Sequence, residues 1–410
     1  MSGLFAQVGW ANETTTIPVS TSGTSAAASP GGHPYVNTLG FGSAHGLQAG
    51  NVIVLSGYTA SAWNGTWIVA TVPSATSLTF LSTGSLGSLT VHGTIVGSTY
   101  GTYATVSRFD TFLKESMQLK SGRIDSEGVG SNRRIQSPTR FVVDRQGAAG
   151  GLSLEIGSKG FGFWLKHLIG PVTTSGPTDS AYTHAAAFPT TLPGMLGVSF
   201  SLQGTVVPAG GFEMVKTYVG CKVTGWQVNF AKGKLLTIDL MIDAYDEQLN
   251  VAKAVASYPA SPEMLSFAGG TITLGGVVCD LIDSGSIKVD LGYETDRRFA
   301  RGNTLHKEPA ESGFRTVTID LQGEFDSVVT AYNRYAATAA ADTLAEVVLA
   351  FTGKVLIGAS TYPSLTFTLA SGRFDGETPG TDGPGLPSQK MTITGRSELT
   401  ASYVTTDSTP

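Results

Sequence analysis

Two well-separated stretches of the chain alternate with a strict period of two. In "KLLTIDLMIDAYDE", Ile238, Leu240 and Ile242 fall on one side while Thr237, Asp239, Met241 and Asp243 fall on the other; in "RTVTIDLQGEF", Val317, Ile319 and Leu321 oppose Thr318, Asp320 and Gln322. Successive side chains of a strand point to opposite faces, so this pattern describes sheet with one face in a core and the other in water. Composition agrees. Only 14% of residues are charged, Gly is 52 of 410, and Val, Ile, Thr, Ser, Tyr and Phe recur in short runs bounded by turn residues. The expected fold is therefore mainly β and rich in turns. The length leaves room for two or three domains.

A boundary in charge divides the chain. Between Glu13 and Arg108 lie 94 residues without a single Asp, Glu, Lys or Arg, so the remainder carries all 57 charges. Within the neutral stretch, 14–34 reads as a Thr/Ser/Ala/Gly/Pro linker, and from about Tyr35 come "NVIVLSG", "GTWIVATV", "SLTFLST" and "LTVHGTIVG" with hairpin chemistry between them. The expectation is a small uncharged β domain, with its linker, inserted at 14–98. Residues 1–13 and the stretch after 98 then form one continuous surface arm, since such insertions are tolerated in exposed loops.

The body echoes itself. "SMQLKSGRIDS" matches "SIKVDLGYETD" in pattern with Gly122 against Gly292, and each leads into an arginine-bearing loop and then an alternating strand, "GLSLEIG" or "RTVTIDLQGEF". A helical stretch follows in each copy: 159–170, with Phe161, Trp164, Leu165 and Leu168 on one face, and 327–340, with Val328, Val329, Tyr332 and Tyr335 on one face. Paired strands close both. The reading is two tandem units, 99–258 and 259–410, each with one short helix. Their sheet edges need cover, which makes homo-oligomerisation a physical expectation.

Signs of chemistry are weak. Six scattered histidines give no HxxxH or HxH, and Cys221 and Cys279 give no CxxC and no disulfide framework, so no metal is expected. A usable GxSxG elbow is absent, and "GSKGFG" lacks the GK[ST] and βαβ context of a phosphate loop, so neither a cofactor nor catalysis is expected. The N-terminus lacks the pattern of a signal peptide, and no run approaches the roughly 18 apolar residues of a membrane span. Asp239 and Asp243 could flank a glycosidase cleft, but a solvated or pore-facing surface suits them better. With net charge −5 the chain is no phosphate-neutralising DNA reader. An acidic wall, with Glu155, Asp239, Asp243 and Asp320 as candidates, would instead let a polyanion pass without sticking.

Charge crowds in one place, "ETDRRFARGNTLHKEP" at 294–309, and its shorter counterpart is "SNRRIQSPTR". A feature present in both units is not a unique active site. Mixed signs suit contact with a neighbouring subunit, where charge sets register and on-rate, and the candidates are Arg133, Arg134, Arg297, Arg298, Arg301 and Lys307. In the neutral domain, Tyr58, Trp63 and Trp67 are candidates for stacking on a sugar, or else for the core of a small β domain.

The dispersed motifs "YGTYATVSRFDTFLKESMQLKSGRIDSEGV", "SKGFGFWLKHLIG", "YVGCKVTGWQVNF", "TDRRFARGNTLHKEPAESGFR", "AYNRYA" and "GRFDGETP" together resemble a tail tube (major tail) protein of long, non-contractile tailed bacteriophages. The neutral domain is extra to that pattern and is similar to small β modules of phage structural proteins. The resemblance implies a virion protein assembled in the host cytoplasm, whose sheets join neighbours into a β-barrel ring. Rings stack into a tube around a tape-measure protein and later DNA, between tail-terminator and tail-tip proteins. The echo favours three subunits per ring, with six as the alternative. An adhesin acting through the N-terminal domain is the competing role.

Overall fold

The computed structural model describes residues 6–27, 34–89, 92–128, 135, 139–190, 194–207, 213–299, 302–324, 345–375 and 388–410. The chain starts in β1 (Val8–Asn12) and then makes a separate sheet from β2 (Thr14–Ile17), β3 (Ser20–Ala27), β4 (Tyr35–Phe41), β5 (Val52–Ser56), β6 (Gly65–Ser74), β7 (Ser77–Ser82) and β8 (Thr94–Ser98). It returns through β9 (Arg108–Phe109) to a first unit of β10 (Phe112–Glu115), β11 (Gln118–Asp125), β12 (Phe141–Glu155), α1 (Gly162–Leu168), β13 (Val172–Thr178), β14 (Ala181–Ala187), β15 (Phe200–Val206), β16 (Met214–Ala231), β17 (Thr237–Ala244) and β18 (Asp246–Gln248). The second unit comprises β19 (Gly270–Leu274), β20 (Val277–Val278), β21 (Ile282–Asp290), β22 (Tyr293–Glu294), β23 (Ala310–Glu311), β24 (Thr316–Glu324), β25 (Ala345–Thr352), β26 (Ser364–Phe374), β27 (Ser388–Gly395) and β28 (Leu399–Thr405).

The two units repeat one pairing scheme. In the first, β1 pairs β15, β15 pairs β16, β11 pairs β12, β12 pairs β17, and β16 pairs both β17 and β18. In the second, β19 pairs β25, β25 pairs β26, β21 pairs β24, β24 pairs β27, and β26 pairs both β27 and β28. Each pair is antiparallel. The units are welded where β16 pairs β21, from Gly225 opposite Asp290 to Ala231 opposite Ser284. The result is an eight-stranded inner ladder in the order β11, β12, β17, β16, β21, β24, β27, β26. The fold is mainly β, with α1 as the first unit's helix; the helix expected at 327–340 lies outside the described residues.

Alternation along these strands fixes which face is buried. One cross-strand row reads Leu154, Ile238, Val228, Ile287, Ile319, Ile393, and every member is buried. Burying each such side chain contributes about 1.5–3 kcal/mol. A slip of one residue in any strand would turn its whole apolar set to solvent, so the register is strongly specified. Long strands couple this ladder to a second layer. The N-terminal part of β16 pairs β15 and its C-terminal part pairs β17 and β21, while β26 divides likewise between β25 and β28 on one side and β27 on the other. Between the layers, α1 buries Phe163, Trp164, Leu165, His167 and Leu168. Trp226 donates its indole N–H to the Leu168 carbonyl at 3.0 Å, which occupies one of the carbonyls a helix end leaves without an intrahelical partner.

The N-terminal piece is not a surface arm. Val8 and Trp10 are each 1% exposed, β1 is paired on both sides by β15 and β9, and the Trp10 ring lies 4.7 Å from that of Trp164. The physical reason is the second layer, which needs β1 as an internal strand over α1. The linker reading of 14–34 is also corrected, because β2 and β3 occupy most of it and pair with β8 and β4. They stand at the two ends of the separate sheet, in the order β2, β8, β5, β6, β7, β4, β3. Edge strands tolerate Ser and Thr, which is why their composition imitates a linker.

Candidate assembly surfaces

The face of the inner ladder opposite the core is polar. One row carries Glu155, Thr237, Asn229, Ser286, Asp320 and Thr392, and the next carries Ser153, Asp239, Gln227, Lys288, Thr318 and Thr394. Neighbouring strands hold these groups in place. Asp239 accepts from the Ser153 hydroxyl at 2.5 Å and the Asn229 amide at 2.9 Å, and Asp320 accepts from the Thr392 hydroxyl at 2.6 Å. Lys288 stands beside the acids, so the face is mixed in sign rather than purely acidic. Glu155, Asn229, Asp320 and Lys390 line a groove of about 640 Å³ that crosses the seam between the units.

Asp243 does not belong to this open face. The described part of the second unit's loop, 294–299 and 302–309, folds over it, and His306, 2% exposed, brings Nε2 to 3.5 Å from Asp243 Oδ2 and 3.2 Å from the Ala244 carbonyl. Burial pushes the Asp243 carboxyl up to about 6, opposed by the nearby His306, Lys120 and Arg298. The strand pattern could not reveal this cover, because it arrives from the other unit.

That loop is a clasp. Glu308 accepts from Lys222 Nζ at 2.6 Å and from the Gly197 amide at 2.6 Å, and Lys222, 2% exposed, also donates to the Met195 carbonyl at 2.8 Å and sits 5.1 Å from the centre of the Tyr293 ring. The ion pair thus ties the second unit's loop into the core of the first. Backbone pairing adds to the hold, since the Gln146 amide donates to the Thr304 carbonyl at 3.1 Å. The arginines are turned to the loop's own use. Arg297 donates to the Glu308 carbonyl at 2.5 Å, while Arg298 pairs with Asp296 and donates to the Thr304 carbonyl at 2.6 Å. Lys307 alone of the described candidates stands exposed. Arg133, Arg134 and Arg301 lie outside the described residues.

The sheet ends differ from its middle. Among the described residues no ladder joins β11 to β26, and the β11–β12 hairpin exposes Leu119, Ile124, Phe141 and Val142. An edge with apolar side chains and unpaired backbone is a template for another strand.

Where the chain leaves the body for the separate sheet sits a residue that sequence reasoning passed over. Glu13 is fully buried and accepts four hydrogen bonds, from the Gly101 and Gly220 amides at 2.9 and 2.6 Å and from the Ser199 and Ser201 hydroxyls at 2.9 and 2.9 Å. Burial drives its carboxyl up to about 7, with the four donors working against that rise. Its carbonyl accepts from the Thr99 amide at 3.0 Å, so the outgoing and returning chains meet here. The signal available in sequence was its position as the last charge before the neutral stretch.

Two of the three aromatic candidates of the neutral sheet, Tyr58 and Trp63, are core residues, and Trp67 packs against that core. Trp63 is 0% and Tyr58 3% exposed. Trp63 donates to the Gly87 carbonyl at 3.2 Å and meets the Phe80 ring edge-on at 5.7 Å, while half-buried Trp67 lies 4.9 Å from the same ring. Tyr58 places its hydroxyl 3.0 Å from that of Ser20. Trp63 and Tyr58 have no face left for a sugar, because β5, β6 and β7 close over them into a core of their own.

The body thus consists of two units with one pairing scheme, a one-sidedly polar ladder, and sheet ends that no ladder joins among the described residues. A family model for phage tail tube proteins matches residues 87–397, and the chain belongs to that family. It is thus a structural protein of the bacteriophage tail, of a kind that stacks into a tube. No curated protein matches the chain.

Proposed function

We propose that three copies of this chain close into a ring, that rings stack into the tail tube, and that the tube holds a tape-measure protein before conducting the genome. The observation that carries the reading is the weld of β16 to β21. It joins two units of like topology edge to edge, and the same join repeated between copies would consume the ends at β11 and β26. With two units per chain, three copies give six units around the ring. Six copies are the alternative.

In this arrangement the face bearing Glu155, Asp239 and Asp320 lines the lumen. Side chains fixed by cross-strand hydrogen bonds offer DNA a hydrated wall, and their carboxylates repel a polyanion at short range. The separate neutral sheet, tied at Glu13 and Thr99, stands outside the conducting wall as a module. Assembly takes place in the host cytoplasm, with tail-terminator and tail-tip proteins at the two ends.

Negative-stain microscopy of the purified chain tests the reading. Hollow tubes of regular repeat with three-fold symmetry in end views are expected. Persistent monomers at high concentration would overturn it.

A further inference from the structure

Resting on that ring reading, we infer the register of the join between copies: β11 of one copy pairs with the C-terminal end of β26 of the next, with Lys120 opposite Asp375. The register follows from matching rows of the two units. In the first, Gln118, Ala149, Asp243 and Lys222 stand in one cross-strand row; in the second, Lys288, Thr318, Thr394 and Arg373 do. Both rows end on a cation. Two residues further along β11 and β21, Lys120 corresponds to Asp290, each two before the shared glycine at 122 or 292. At the other edge, Gly225 lies opposite Met241, and the Asp375 amide donates to the Thr392 carbonyl, the position that corresponds to Met241. Asp375 therefore corresponds to Gly225. Within the chain, Gly225 pairs with Asp290. Between copies the same step sets Asp375 against Lys120, a lysine facing an aspartate across antiparallel strands.

Burial at matched positions agrees. Met117 and its counterpart Ile287 are 1% and 0% exposed, as the common register requires. Leu119 is 49% exposed while its counterpart Val289, which has β16 beside it, is 0% exposed. The leucine is the residue that the next copy would cover. A second contact follows from the clasp. Leu305 bridges to Gln146 in the chain; the strand register sets Arg315 in the place of Gln146, and counting from Gly122 and Gly292 sets Ile135 in the place of Leu305. Ile135 is 86% exposed, and beside Arg315 lies a cavity of about 290 Å³ bordered by Phe188, Glu398 and the 97%-exposed Phe314. In the ring, Ile135 of the neighbouring copy would lie beside Arg315 as Leu305 lies beside Gln146 within the chain.

The test is a cysteine pair, Lys120→Cys with Asp375→Cys, in a chain carrying Cys279→Ser. Directly opposed residues in antiparallel strands lie about 4.5–5.5 Å apart at Cα, within the span a disulfide accepts. Oxidised assemblies run on a non-reducing gel should show dimer and trimer bands, and either single cysteine should leave monomer. If tubes form but this pair stays monomeric while Lys120→Cys with Arg373→Cys cross-links, the register is wrong although the ring stands. If the unsubstituted chain forms no rings, the ring reading itself has failed. A charge exchange covers the case in which the cysteines impair assembly. Lys120→Glu should reduce tube yield at least tenfold and Lys120→Glu with Asp375→Lys should restore it; absence of rescue would overturn the pairing.

Discussion

Replacing Glu308 by glutamine should loosen the clasp without touching the inner ladder. The amide side chain can still accept from the Gly197 backbone N–H through its Oε1, so the change isolates the charge on Lys222. That ammonium is 2% exposed and sits 2.6 Å from Glu308, whose own side chain is 12% exposed. Removing one partner of a buried pair costs about 3–5 kcal/mol, because the remaining charge is left without compensation. The residual exposure of Glu308 places the expectation at the lower end, about 3 kcal/mol, or more than a hundredfold in the opening equilibrium at about 1.4 kcal/mol per decade. Hydrogen exchange reads this locally. The Lys307 amide donates to the Arg297 carbonyl at 2.9 Å and reports opening of the loop. Its exchange should quicken about a hundredfold in Glu308→Gln, while amides in β24 hold. Lys222→Met combined with Glu308→Gln buries no charge and should recover part of the loss. Exchange in the single variant at the rate of the unsubstituted chain would refute a charge-based hold, as would a double variant that costs the sum of each substitution alone.

The remaining predictions concern the separate sheet and its root. Joining Glu13 directly to Thr99 should give a folded chain that still forms tubes, since their backbones already share a hydrogen bond; loss of tubes on microscopy would make the sheet part of the wall. Trp63→Ala should destabilise that sheet by about 3–5 kcal/mol, seen as an earlier unfolding transition, with the body's transition unmoved. Glu13 holds its proton to about pH 7 when folded but releases it near 4.5 when unfolded. Its contribution to stability is therefore full below about pH 4.5 and is lost as pH rises toward 7. Glu13→Gln should flatten that part of the stability profile in denaturant titrations, and an unchanged slope would refute the assignment.

Much of this architecture was legible in the chain. The period of two in 237–244 and 316–324 determined which side chains face the core, because the alternation of a strand is a local geometric fact. The echo around Gly122 and Gly292 falls at β11 and just after β21, strands that hold the same place in the two pairing schemes. The helix at 162–168 followed from its apolar face. Tertiary structure decided what depends on residues distant in sequence. Asp243 and Asp239 look alike in the strand, yet one is covered by a loop arriving from the other unit and the other stays on the open polar face. Arg298 looks like a free cation until Thr304 and Asp296 close around it. Trp63 and Tyr58, which sit beside turns in the sequence, turn inward to pack with Leu39, Ile53, Leu78 and Phe80 in the core that the seven-stranded sheet builds for itself.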